Sequence, residues 1–98
     1  MAYRLSRKAE EDIVEIYVRG AGTFGAAQAD RYFAGLAAML AFLASNPLAA
    51  RERTELSPPV RIHPYRAHLI VYRVEPNGIL VLRLRHGRED WHTAPAGS

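Results

Sequence analysis

The chain has 98 residues, 49% of them hydrophobic and 23% charged, which fits one globular domain and leaves no room for a second core. It contains no cysteine, so disulfides, thiolate metal sites and a cysteine nucleophile are excluded. No apolar run approaches the roughly 20 residues that a helical membrane span needs, and the start, Met1 to Ser6, lacks the apolar core of a signal peptide, so the cytoplasm is the expected compartment.

Charge is unevenly distributed. Residues 1–50 carry five basic and five acidic side chains, whereas residues 51–98 carry eight arginines against five acids. Residues 60–88 hold six arginines and a single acid, Glu75, with His63, His68 and His86 among them. Twelve of the thirteen basic residues are arginine, which favours forked, bidentate contacts. A basic second half points to an acidic partner, a protein or a phosphate backbone.

In chain order, Tyr3-Arg4-Leu5-Ser6 reads as a short strand entering a helix, with Ser6 as N-cap and Glu10, Glu11 and Asp12 near the positive end of the helix dipole. Ala9, Ile13, Ile16, Tyr17 and Gly20 form a helical stripe. Residues 20 to 25, Gly-Ala-Gly-Thr-Phe-Gly, break that stripe and predict a turn. They are not a phosphate loop, since they follow a helix and lack the Gly-Lys pair. From residue 24 to 45 a second stripe runs through Ala29, Tyr32, Phe33, Leu36, Met39, Leu40 and Leu43, and Asn46-Pro47 ends it. The pair makes an αα-hairpin.

Residues 48–59 then form a connector, and the period changes. Three β-rich runs follow, Val60 to Tyr65, His68 to Glu75 and Gly78 to His86, the last two joined by the tight turn Pro76-Asn77-Gly78. In the last run, alternation predicts Leu80, Leu82 and Leu84 facing the helices and Arg83 and Arg85 facing away. In the run before it, Ile70, Tyr72 and Val74 fall on the core face, with Val71 and Arg73 beside the arginines. Arg61 and His63 are expected to join that outer face. The predicted fold is α+β, a single β-α-α-β-β-β domain with a helical hairpin on one face of a mostly antiparallel sheet. Residues 1–92 form the domain and residues 93–98 a disordered tail.

This ordered set resembles the ParE/RelE toxin superfamily, closer to its ParE branch, over residues 3 to 91. The resemblance rests on Tyr3-Arg4-Leu5-Ser6 before an acidic helix, Phe24-Gly25 with Ala29-Asp30-Arg31-Tyr32 opening the second helix, and Asn46-Pro47 closing it. His68-Leu69-Ile70-Val71-Tyr72-Arg73-Val74 and the end piece Leu82-Arg83-Leu84-Arg85-His86-Gly87-Arg88-Glu89-Asp90-Trp91 complete it. It implies a RelE/ParE-like fold and the toxin of a type II toxin–antitoxin module. A ParD-like ribbon-helix-helix antitoxin would neutralise it, and DNA gyrase would be the target. The RelE branch would instead imply ribosome-dependent mRNA cleavage, and a third reading is an inactive, antitoxin-binding homologue.

Cleavage through a 2′-hydroxyl needs a base, an acid and cations for the phosphorane. The aromatic near the C-terminus is Trp91, a donor only, and the sole lysine, Lys8, lies on the first helix. His86 could act as acid or base, and Arg61, Arg73, Arg83 or Arg85 could hold phosphate, so a nuclease would rest on His86, Arg83 and Arg61. The protein-interaction reading instead assigns Arg61, Arg73, Arg83, Arg85, His86, Arg88 and Trp91 to partner or target contact. No sequence-specific nucleic-acid binding by the chain alone and no membrane contact are expected. His63, His68, His86 and His92 lack metal-ligand spacing, so neither a metal nor a cofactor is expected.

Overall fold

The computed structural model describes residues 2–87. Strand β1 (Ala2–Leu5) leads into helix α1 (Arg7–Phe24) and helix α2 (Ala26–Ser45), and β2 (Glu52–Arg53), β3 (Val60–Tyr65), β4 (His68–Glu75) and β5 (Gly78–His86) follow. The three long strands fall where the sequence placed them. The two-residue β2, inside the predicted connector, is an addition. Arg88, Trp91, His92 and the predicted tail lie outside the described residues.

Ser6 caps α1 as expected, its Oγ accepting the Ala9 N–H at 3.0 Å. The predicted turn over residues 20 to 25 is instead mostly helix. Gly20 and Gly22 sit inside α1, and the chain turns only at Gly25 (φ 92°), whose N–H bonds to the Ala21 carbonyl. An interior glycine weakens a helix by about 1 kcal/mol relative to alanine, a cost that 18 residues of helix absorb. Helix α2 ends at Asn46, whose N–H and side-chain amide both donate to the Phe42 carbonyl, and Pro47 bars continuation.

The five strands run β1-β5-β4-β3-β2. β1 lies parallel to β5, and the other neighbours are antiparallel, so the first and last strands meet. Gly78 (φ 150°) permits that junction, because a Cβ there would stand 1.7 Å from the Ala2 carbonyl oxygen.

One irregularity decides which side chains go where. Tyr72 pairs with Val81 but Val71 pairs with Arg83, so Leu82 is an extra residue on β5. Such a bulge shifts the alternation by one. The expected row of three core leucines is therefore split. Before the bulge, Ile79 and Val81 face the helices; after it, Leu84 does. These three pack with Ile70, Tyr72, Leu36, Leu40 and Leu43. Leu82 instead joins a second cluster on the opposite face, where Leu56 from the connector lies on Val60 and Val71 with Ile62 and Leu69 around them. Leu80 belongs to neither cluster and is buried in the row between Arg4 and Arg73. Val74, expected in the core, is 43% exposed.

The face away from the helices is thus not an open arginine field. The chain's own connector covers its centre.

Candidate functional site

Of the arginines expected on the outer face, two are there. Arg73 follows Val71 by two residues, and Arg85 pairs with Leu69, a member of the outer cluster. Arg61 and His63 are on the other face, because their cross-strand partners are Tyr72 and Ile70, both in the helix-side core. The Arg61 guanidinium donates to the Ala50 carbonyl, and Tyr72 Oη donates to the Pro47 carbonyl at 2.8 Å, so both hold the segment between α2 and β2.

Arg83 has turned sideways. β1 pairs only with residues 78–81 of β5, which leaves the following edge without a strand. Helix α1 covers it. Ser6 donates from N–H to the Val81 carbonyl and from Oγ to the Leu82 carbonyl. Asp12 Oδ2 accepts the Leu84 N–H at 2.9 Å and Arg83 Nε at 2.9 Å, and its Oδ1 accepts Arg83 Nη2 at 3.1 Å. Both side chains are largely shielded, Arg83 at 15% and Asp12 at 17% exposure. The bidentate pair serves to close the sheet edge.

The nuclease set of His86, Arg83 and Arg61 is consequently not assembled. Arg61 stands in the Tyr72 row and His86 in the His68 row, four residues along β4, or about 13 Å at the usual rise.

His86 has a different neighbour. It pairs across the strands with His68, their ring centroids 5.4 Å apart and nearly perpendicular. His68 Nδ1 shares a hydrogen bond of 2.5 Å with Tyr32 Oη from α2. Tyr32 in turn receives Tyr65 Oη on its backbone carbonyl at 2.9 Å, and the two tyrosine rings meet edge to face. Burial, and then the neighbouring Tyr65, push the Tyr32 phenol above its ordinary pKa, while Arg66 pulls it back. Tyr65 packs directly over Gly35 of α2, where a Cβ would lie 2.2 Å from Tyr65 Oη and one of the two would have to shift.

Tyr32, Arg66, His68 and His86 line a cleft of about 1180 Å³ between the turn end of the helical hairpin and the β4–β5 ends. Five arginines line it, Arg19, Arg31, Arg66, Arg83 and Arg85, against two carboxylates. Asp12 is engaged with Arg83 and Glu15 with Arg19. Sequence reading singled out His86, Arg83 and Arg85 but missed His68, Tyr32, Arg66 and Asp12 as parts of one place. Among the described residues, no group of three or more histidines or carboxylates is close enough to hold a metal ion. No helix among them is long and apolar enough to cross a membrane.

Comparison with solved structures finds the same fold. A chain described as "Chromosomal ParDE TA system from P. aeruginosa" superposes with a TM-score of 0.72 at 23% identity, covering 88% of this chain and 95% of that one. Among curated proteins, no match is found. The model of the family described as "ParE toxin of type II toxin-antitoxin system, parDE" matches residues 3–91. With the fold and nearly the whole sequence in agreement, the chain belongs to the ParE toxin family of type II toxin–antitoxin systems.

Proposed function

We propose that this toxin arrests growth from the cytoplasm by acting on DNA gyrase, and that a ParD-like antitoxin neutralises it. The observation that carries the protein-directed reading is the fate of Arg83. Its guanidinium is committed to Asp12, and Arg61 is committed to the Ala50 carbonyl, so these two and His86 do not gather around one scissile phosphate. An inhibitor that acts by binding needs no such constellation.

The antitoxin segment would be both acidic and apolar. Arg73 and Arg85 offer cations on the outer face, and Val14 and Val18, one turn apart on α1, are 63% and 64% exposed. Exposed ion pairs contribute only about 0–1 kcal/mol each and mainly speed encounter, so apolar anchors would hold the complex. Ordering a flexible antitoxin segment costs several kcal/mol, so a large contact area is required.

Induced expression in a bacterial host tests the reading. Growth should stop, and co-expression of the adjacent reading frame should restore it. Translating ribosomes incubated with the purified chain should leave mRNA intact. Ribosome-dependent cleavage that disappears in His86→Ala would move the chain to the nuclease branch.

A further inference from the structure

The cleft at the turn end of the helical hairpin has a composition that edge closure does not explain. Phe24, the last residue of α1, stands at its rim with 65% of its surface exposed. An aromatic side chain left in water beside arginines is the arrangement that holds a base by stacking and its phosphate by charge. Arg31 and Arg66 line the same cleft, with the His68 and His86 imidazoles in its wall. The two lining carboxylates, Asp12 and Glu15, already face Arg83 and Arg19.

Arg66 adds an independent sign. It occupies the β3–β4 turn with φ 51°, the only non-glycine residue in the left-handed region among those described. Glycine or asparagine would take that position with less strain. Arginine there sets its guanidinium carbon 5.6 Å from the Tyr65 ring centroid, and its Nε donates to Tyr65 Oη at 3.3 Å, so the side chain is held along the cleft wall. Backbone strain kept by a charged residue at a cavity points to a use for that charge.

We propose that this cleft is a nucleoside-phosphate site, with the base on Phe24 and its phosphate between Arg31 and Arg66, open to a free nucleotide or to one unit of a single strand. Stacking and phosphate contact carry no sequence code, so binding is tolerant of sequence.

Fluorescence anisotropy of the full chain with a labelled 12-nucleotide single-stranded RNA tests this. Competition by adenosine monophosphate, inorganic phosphate and a poly-glutamate peptide completes the experiment. The expected result is salt-dependent binding that Arg66→Gly weakens at least tenfold, while the melting temperature stays level or rises as the strain at φ 51° is released. Phe24→Ala should weaken binding at least fivefold without changing the salt slope, and Arg31→Ala should flatten that slope. Arg73→Ala, on the opposite face, should change neither. Competition by the monophosphate at a concentration comparable to the strand's own nucleotides identifies the free nucleotide as the ligand. Failure to compete identifies the strand, and both outcomes support the site. Absence of binding, equal binding by the Arg66→Gly and Phe24→Ala variants, or poly-glutamate competing as well as RNA would overturn it.

Discussion

The Leu84 amide donates to Asp12 Oδ2 at 2.9 Å, joining a side chain in the second turn of α1 to the edge of β5 that β1 leaves unpaired. The same carboxylate holds Arg83 in a bidentate pair. One aspartate thereby fixes the helix on the sheet, satisfies a strand N–H that no neighbouring strand reaches, and withdraws an arginine from the surface. Unprotected strand edges invite association, and α1 blunts this one.

Asp12→Ala should therefore destabilise the fold by about 2–3 kcal/mol, since it strands a shielded guanidinium and a backbone donor together. Asp12→Asn keeps an acceptor for Leu84 and should recover roughly 1 kcal/mol of that loss. Chemical denaturation of the three proteins checks both. Equal stability of Asp12→Ala and the parent would mean that the edge is held by packing alone.

The bulge makes a sharper distinction among the leucines. Leu84, 3% exposed in the helix-side core, should cost about 2–5 kcal/mol on replacement by alanine. Leu82, partly buried in the outer cluster, should cost about half as much or less. Denaturation midpoints of the two variants give the order, and the reverse order would contradict the register.

That register left no trace in the residues around it. The turn at Pro76-Asn77-Gly78 and all three long strands were legible, because turn residues and β-branched runs act locally. Counting back from the Glu75–Gly78 pair, strict alternation sets His68 opposite Arg85. The extra residue Leu82 moves it to His86 instead. Nothing in the leucine spacing marks the insertion, since Leu80, Leu82 and Leu84 alternate without a break. The same slip hid the Arg83–Asp12 pair, a contact across 71 positions. Helix α1 was under-read at its end because glycine is a weak breaker when the flanking turns are helical. The placement of Arg61 on the helix side was missed for want of a known pairing with β4.

Gly35 and Tyr65 should be coupled. Gly35→Ala forces Tyr65 Oη away from 2.2 Å and should destabilise the protein by about 1–3 kcal/mol, despite alanine's better helix propensity. In a Tyr65→Phe background the nearest obstacle is gone, and the same change should cost at least about 1 kcal/mol less. Additive behaviour in that double-mutant cycle would show that the ring and the helix adjust independently.

Tyr72 gives a pH signature. Burial raises its pKa above 10.0 in the folded chain, so the folded state keeps a proton that the unfolded state gives up. That contribution is intact below about pH 10 and is lost as pH rises through the folded value. Melting temperature should fall above about pH 10, and Tyr72→Phe should make the fall shallower while removing the bond to Pro47. A parallel pH profile in the variant would assign the alkaline loss to other groups.

Docking of the antitoxin should separate Arg73 and Arg85 from Arg83, although all three alternate alike in the sequence. Arg73→Ala and Arg85→Ala should slow association and reduce its salt dependence, whereas Arg83→Ala should act through folding, lowering stability by about 2 kcal/mol. Stopped-flow association over a salt series, beside thermal melts, distinguishes them. Unchanged association in both surface variants would remove the outer face from the interface.

Inhibition of gyrase by binding is tested by the supercoiling of relaxed plasmid with purified gyrase in the presence of this chain. Supercoiling should fall as the chain is titrated in and return when a ParD-like antitoxin that binds it is added first. Full supercoiling at a large excess of folded toxin would rule gyrase out as the target.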